Sequence, residues 1–290
     1  MSLKSFLKTY IPGVSSLVRS RQWQDLRHRM VLGSADREQS HYTHFLRLPT
    51  QFKALTGPVV DFVCNGSNSR TMRVVVVGCS IGKEPYTIAS ALANQYPDLD
   101  FRVDAYDLIP EVVEKARSRL YDRDEVYSHE RITEEFIEQT FDREGESYVV
   151  KPHIARHVSF DQADVFSPEL RSVVANADVV FAQNFLFHMR PPEAHRAFDN
   201  ICSLLADRAA LFIDGVDLAV RDQATKANDL TPLDYEIETI HNENLRLEGW
   251  PYQYWGLEPF STRRRNWRRR YATIFLRNGD GLKQRHQENK

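Results

Sequence analysis

The chain has 290 residues, 42% of them hydrophobic and 27% charged, with a formal net charge of −2. That length buries one large core with room for a small appended unit, and the near-neutral balance speaks against a generic nucleic-acid binder. Cys64, Cys79 and Cys202 make no C-x-x-C pair, so neither a disulfide framework nor a zinc knuckle is expected, and a reducing cytoplasm is the simplest compartment.

Residues 1–42 read as a short helical cap, broken at Pro12-Gly13 and Gly33, with Arg19, Arg21, Arg27 and Arg29 around Trp23. Lysines interrupt its first apolar residues, so no signal-peptide core is expected. No later apolar run approaches the roughly 18 residues of a membrane span. The stretch Thr43 to Phe52 leads into a helix-like apolar pattern ending at Val63 and a polar turn at Asn65–Asn68.

Residues 74–86, Val-Val-Val-Val-Gly-Cys-Ser-Ile-Gly-Lys-Glu-Pro-Tyr, predict a buried parallel strand, a glycine turn and the start of a helix. Gly78 and Gly82 allow a tight turn and a close approach to a ligand at the strand's carboxyl end. Two phosphate readings fail. A P-loop needs four residues between its glycines and Ser or Thr after the lysine, whereas three separate Gly78 from Gly82 and Glu84 follows Lys83. The G-x-G-x-x-G dinucleotide fingerprint is absent too, and Glu84 near a helix N-terminus repels a pyrophosphate. A carboxylate there suits a cation. S-adenosylmethionine, with an adenosine free of phosphate, a sulfonium and an amino group, fits this turn.

A second strand, about Phe101 to Tyr106, ends in Asp107, where a Rossmann-like sheet holds ribose hydroxyls. Val112, Val113, Ala116 and Leu120 follow at helical spacing. Residues 133–160 break the rhythm with a helical piece at Glu134–Thr140 and short strands at Tyr148–Val150 and His157–Phe160, which predict a small antiparallel insertion containing His153 and His157. Asp164 is a second acid at a strand end and a candidate for the adenine amino group. The strand Ala177–Ala182 stops at Gln183, setting Asn184 and His188 where reacting groups collect. A helix from about Pro192 to Leu205 and a strand at Ala209–Asp214 come next. Further strands near Tyr235–Ile240 and Tyr271–Leu276 frame Trp250, Tyr252, Tyr254 and Trp255, while Arg263–Arg265 and Arg268–Arg270 read as a solvated loop.

Several of these segments, in order, resemble the CheR-type chemoreceptor glutamate methyltransferases. Cys79, Ser80, Gly82, Glu84, Pro85 and Tyr86 match the family's Cys-Ser-x-Gly-x-Glu-Pro-Tyr block. Thr43, Phe45, Leu46, Arg47 and Phe52 resemble its upstream Thr-x-Phe-Phe-Arg signature, and Gln183 to His188 its Arg-Asn-Val-Leu-Ile-Tyr segment. The resemblance covers about residues 40–218. It implies an α/β fold, a Rossmann-like class I methyltransferase sheet with a small antiparallel β insertion, to which the residues themselves add a late antiparallel hairpin and a short N-terminal helical cap. The methyltransferase domain would run from 43 to 278, with residues 230–278 closing the sheet and a polar tail at 279–290.

The same resemblance implies S-adenosylmethionine as donor and S-adenosylhomocysteine as product. Gly78, Cys79, Ser80, Gly82, Glu84, Tyr86, Asp107, Asp164, Asn184 and Phe185 would form the donor site and Arg47 and Thr43 the transfer site, to which His188 is added by its own place at the strand end. No metal is required. The departures are a shortened region before Thr43, Gln183 in place of arginine, His188 in place of tyrosine, and an unmatched segment after residue 230. An acceptor carboxylate, on a protein or a small molecule, is ionised at neutral pH and needs no base, and Arg47 could hold it. A hydroxyl, amine or thiol acceptor would use His188 as base. A regulatory protein that binds the donor without turnover is the third expectation.

Overall fold

Val74 to Val77 lie in the middle of the molecule, buried on both faces of strand β1 (Met72–Val77). In the computed structural model, residues 43–64, 71–244 and 260–278 are described. The expected N-terminal cap with Trp23, the turn at Asn65, the aromatic run Trp250–Trp255 and the polar tail lie outside them.

β1 pairs in parallel with β2 (Phe101–Asp107) on one side and with β7 (Ala177–Gln183) on the other. The seven-stranded sheet has the order β6-β2-β1-β7-β8-β10-β9, with β6 (Val158–Gln162) and β8 (Leu205–Asp214) also parallel. β10 (Ile274–Asn278) runs antiparallel between β8 and β9 (Thr231–Pro232). The chain leaves β1 towards β2 and returns later to β7, so the strand order reverses beside β1. Val77 stands level with both Tyr106 and Ala182, and the strand ends therefore open into one crevice, where doubly wound sheets bind ligands.

Alternation along β1 divides the core. Val74 and Val76 pack with Phe45, Leu48 and the apolar face of α3 (Lys83–Gln95), which follows the glycine turn. Val75 and Val77 face Phe198, Ile201 and Val220 from α9 (Pro191–Leu204) and α10 (Leu218–Ala227). Before β1, α1 (Pro49–Ala54) runs through a π-helical turn at Leu55–Val59 into α2 (Val60–Cys64). α4 (Pro110–Ser118) follows β2, and α5 (Arg123–Val126), α6 (Glu134–Thr140), α7 (Pro152–Ala155) and α8 (Pro168–Val174) complete the series before β7.

Three expectations change. The insertion's sheet has the order β3-β5-β4, and it recruits Leu120–Tyr121 (β3) alongside Phe141–Glu144 (β4) and Ser147–Val150 (β5). His157–Phe160 does not belong to it. Val158 stands beside Val103, making β6 the edge of the main sheet, and the His157 ring stacks on Phe101 at 4.1 Å. His153 lies in α7.

The strand expected at Tyr235–Ile240 is instead a helix, α11 (Ile237–Glu243), whose buried Ile237, Ile240 and His241 recur at helical spacing. The late antiparallel pair is therefore β9 with β10. Tyr271 ends a short helix, α12 (Trp267–Tyr271), and the last strand starts at Ile274. Among the described residues, no helix is long and apolar enough to cross a membrane.

Candidate functional site

The glycine turn is fastened to β2 before any ligand is considered. The amides of Gly78 and Cys79 both donate to the Tyr106 carbonyl, at 2.8 and 3.0 Å. Asp107 then accepts the Ser80 amide at Oδ2 (2.7 Å) and the Ile109 amide at Oδ1 (3.1 Å). Each carboxylate oxygen keeps a further lone pair, which is what a pair of hydroxyls requires. Gly78 has φ +76, and a Cβ there would come 2.8 Å from the Phe185 ring, so the ring lies flat against bare backbone.

The turn opens into a cleft of about 1050 Å³, counting the part open to solvent. Gly78, Cys79, Ser80, Glu84, Asp107, Asp164, Asn184 and Phe185 line it, and so do Thr43, Arg47 and His188. Eleven of the thirteen expected site residues thus meet at one crevice, drawn from the ends of β1, β2, β6 and β7, the first turn of α3 and the stretch before α1. Gly82 and Tyr86 do not. Gly82 has φ +85 and lets α3 approach α4, because a Cβ would come 2.9 Å from that of Ala116. Tyr86 lies two residues past Glu84, about 200° around the helix. It is buried, with its hydroxyl donating to the Ala116 carbonyl at 3.0 Å. Both residues support the wall from behind.

Glu84 occupies the first turn of α3. Enclosure by protein pushes its carboxyl up to about 8, the charge of Arg47 opposes that rise, and Asp214 adds to it. A cationic group in the cleft would relieve this. The Cys79 thiol is held well above its usual range by burial and by Asp107, so it stays protonated and unreactive. Asp164 closes its own turn, accepting the Phe166 amide at 3.0 Å. Asn184 sits at φ +60 and donates its amide to the Asp214 carbonyl (3.0 Å), and a Cβ at Gly215 would strike its Cα at 2.6 Å.

The opposite wall comes from residues 43–52. Phe45 is fully buried, with ring edges on Tyr121 and Phe141. Its carbonyl accepts His129 Nε2 at 2.7 Å, while His129 Nδ1 accepts the Arg131 amide at 3.2 Å, so that imidazole is neutral with its proton on Nε2. Arg131 Nη1 donates to the Arg47 carbonyl at 2.8 Å. The insertion thereby fixes the backbone that carries Arg47.

His188 ends a 3-10 turn, Leu186–His188, with its ring 3.9 Å from that of Phe187. Burial lowers its pKa to about 4, and neither ring nitrogen has a hydrogen-bond partner among the described residues.

Sequence reasoning missed two polar wall residues. His44 occupies an unspecified position of the upstream signature. Its Nδ1 lies 2.7 Å from Ser128 Oγ, and burial, followed by the charge of Arg47, lowers it to about 4. Gln183, noted only as a departure, lines the cleft and donates to Gln51 Oε1 at 2.7 Å, while Gln51 donates to Thr273 Oγ1 at 2.7 Å. No local pattern announces contacts between such distant segments.

The donor set fits S-adenosylmethionine. Glu84, Asp107 and Asp164 line the cleft with Arg47 as the one full cation among its described residues, a balance that favours a cationic, hydroxyl-bearing ligand over a polyphosphate. No cluster of potential metal ligands occurs among the described residues.

Residues 41–231 match the family model described as CheR methyltransferase, SAM binding domain. The chain is 32% identical over 173 residues to a probable biofilm formation methyltransferase WspC of Pseudomonas putida, covering 59% of this chain and 40% of that relative. It is 23% identical over 198 residues to a chemotaxis protein methyltransferase of Listeria monocytogenes, covering 68% and 69%. Among solved structures, the magnesium protoporphyrin IX methyltransferase of Synechocystis with bound SAM aligns with a TM-score of 0.38 and 16% identity over 72% of this chain and 87% of that one. The chain spans 40% and 42% of the lengths of its two WspC relatives.

Proposed function

The chain belongs to the CheR methyltransferase family, whose matched domain uses S-adenosylmethionine, and from that premise we propose that it methylates a carboxylate oxygen of its acceptor. The observation that carries this reading is Arg47 in one cleft with a histidine too weakly basic to take a proton at neutral pH. Bound S-adenosylmethionine supplies a methyl group already made electrophilic by its sulfonium.

The chain's own residues then bind and align. Glu84 takes the amino group of the donor, Asp107 its ribose hydroxyls and Asp164 its adenine amino group. Bare backbone at Gly78, with Phe185 beside it, admits the ligand closely. Arg47 holds the acceptor carboxylate by charge-assisted hydrogen bonds. Neutral His188 offers it one N–H. Thr43 stands at the same wall. The acceptor is ionised near a reference pKa of about 4.3, so no base is needed, and alignment of this kind supplies roughly 7–11 kcal/mol. The family's chemoreceptor glutamate chemistry supports a protein carboxylate, and a small-molecule acid satisfies the same residues.

Methylation of a hydroxyl, amine or thiol with His188 as base is the second reading. Its support is the pair of unpartnered ring nitrogens at the cleft.

The test is release of S-adenosylhomocysteine against carboxylate-bearing peptides and a metabolite panel, followed by alkali treatment of the product. A methyl ester gives up methanol, whereas an N- or S-methyl product does not. His188→Ala should keep its neutral-pH activity within about tenfold, less than the roughly hundredfold or more that a general base contributes. An alkali-stable product, or a single deprotonation near pH 6–7 that vanishes in His188→Ala, would exclude the carboxylate.

A further inference from the structure

The residues that tie the cleft together include some beyond the family match, which ends at residue 231. α1 begins at Pro49, two residues after Arg47, and its N-cap residue, Leu48, has no side chain able to cap it. The missing cap comes from the end of α11. Glu243 Oε2 accepts the Thr50 amide at 3.1 Å, and its Oε1 accepts the Thr50 hydroxyl at 2.5 Å. A carboxylate at that end also meets the positive pole of the helix.

The next residue reaches the other wall. Asn244 donates to Asp214 Oδ2 at 2.7 Å, and Asp214 faces the fully buried Arg221 at 3.6 Å. The carbonyl of Asp214 in turn receives the amide of Asn184. Along α1, Gln51 is gripped between Thr273 and the cleft residue Gln183. Two consecutive residues, Glu243 and Asn244, therefore fasten both the Arg47 stretch and the Asn184 turn.

We propose that Glu243 is a positioning residue for Arg47, capping α1 from a distant helix and so fixing where the guanidinium stands in the cleft. This rests on the acceptor-holding role given to Arg47 above. Glu243 touches no ligand and acts through Thr50.

The full chain carrying Glu243→Ala tests this by hydrogen exchange and by kinetics. Exchange of amides at residues 44–54 should accelerate on the order of tenfold, the loss of local protection expected of an uncapped short helix, while residues 72–77 stay unchanged. S-adenosylhomocysteine should bind within about threefold of wild type, since Asp107 and Glu84 are untouched. At saturating donor and acceptor, kcat should fall on the order of tenfold to a hundredfold, as expected of a slightly misplaced group.

Glu243→Gln keeps one acceptor oxygen for the Thr50 amide and should recover part of both effects. It also serves if the alanine variant does not fold. Unchanged exchange at 44–54 with unchanged kcat overturns the proposal. So does loss of protection spread equally over 44–54 and 72–77 with loss of S-adenosylhomocysteine binding, which marks a purely structural residue. If the wild type binds S-adenosylhomocysteine yet methylates no carboxylate, the functional reading fails, and the exchange data alone decide the capping.

Discussion

Glu84 is an acid held neutral until a cation reaches it, and this makes its behaviour visible without any acceptor. Its folded pKa, about 8, lies above the unfolded value of 4.5, so the folded state binds the proton more tightly. The stability this gives is full at low pH and lost as pH rises towards 8. His44 and His188, lowered from 6.5 to about 4, act in the opposite sense, costing stability as pH falls below 6.5. Between pH 6.5 and 8 the histidines are silent. Over that window the melting temperature of the ligand-free protein should decline with rising pH. Glu84→Gln should flatten the decline, and so should saturating S-adenosylhomocysteine, whose ammonium pairs with the ionised carboxylate. An unchanged slope in Glu84→Gln would transfer the effect to another group. At the acceptor end, Arg47→Lys keeps the charge and loses the planar fork, and should lower kcat/KM on the order of tenfold or more in the methyl-transfer assay.

α3 is placed by the residues that do not touch the cleft. Gly82→Ala would force a left-handed residue against Ala116 and Phe160, combining a backbone cost of roughly 1–2 kcal/mol with overpacking of about the same size. Urea unfolding should show a loss of at least about 2 kcal/mol, and Tyr86→Phe a loss of about 1 kcal/mol from its hydrogen bond to Ala116. Gly82 and Tyr86 were legible in the sequence as members of a motif, but not as packing residues, because spacing does not say which side of a helix meets the ligand.

β1, the glycine turn and Asp107 were legible because each is a local signal: an unbroken valine run, two glycines, an acid at a strand end. α11 was not. Tyr235, Ile237 and Ile240 satisfy a strand's period over their first half and a helix's over their second, and six residues cannot separate the two. β6 was recognised as a strand and assigned to the wrong sheet, since a strand carries no label for its neighbour. The joins among Gln51, Gln183 and Thr273 belong to the same class. Their hydrogen bonds are ordinary, and only the tertiary fold brings them together.

At the scale of the whole molecule, the cleft is assembled from residues 43–47, 78–84, 107–109, 163–165 and 183–189 and fastened by Glu243, Asn244 and Thr273. A chain ending before Thr273 should lose both Thr273 and β10, exposing the edge of β8 and leaving β9 unpaired. Calorimetry on such a chain should find S-adenosylhomocysteine binding weakened by at least about tenfold, a cost of at least about 1.4 kcal/mol. Binding at wild-type affinity would show that the sheet beyond β8 is dispensable for the donor site.

β10 is the last strand made among the described residues but lies inside the sheet, and Gln51 waits for a partner 222 residues further along the chain. During synthesis, a ribosome-bound chain that has already emerged through β8 holds every donor-binding side chain named here, with the stretch that bears Arg47 tied to the insertion but not yet to Glu243 or Thr273. Closure of loops this long is slow compared with local helix formation. Competence should therefore arrive in a single late step, when the final strand slides between its two neighbours, and stalled chains released just short of that point should neither capture the donor nor compete for it.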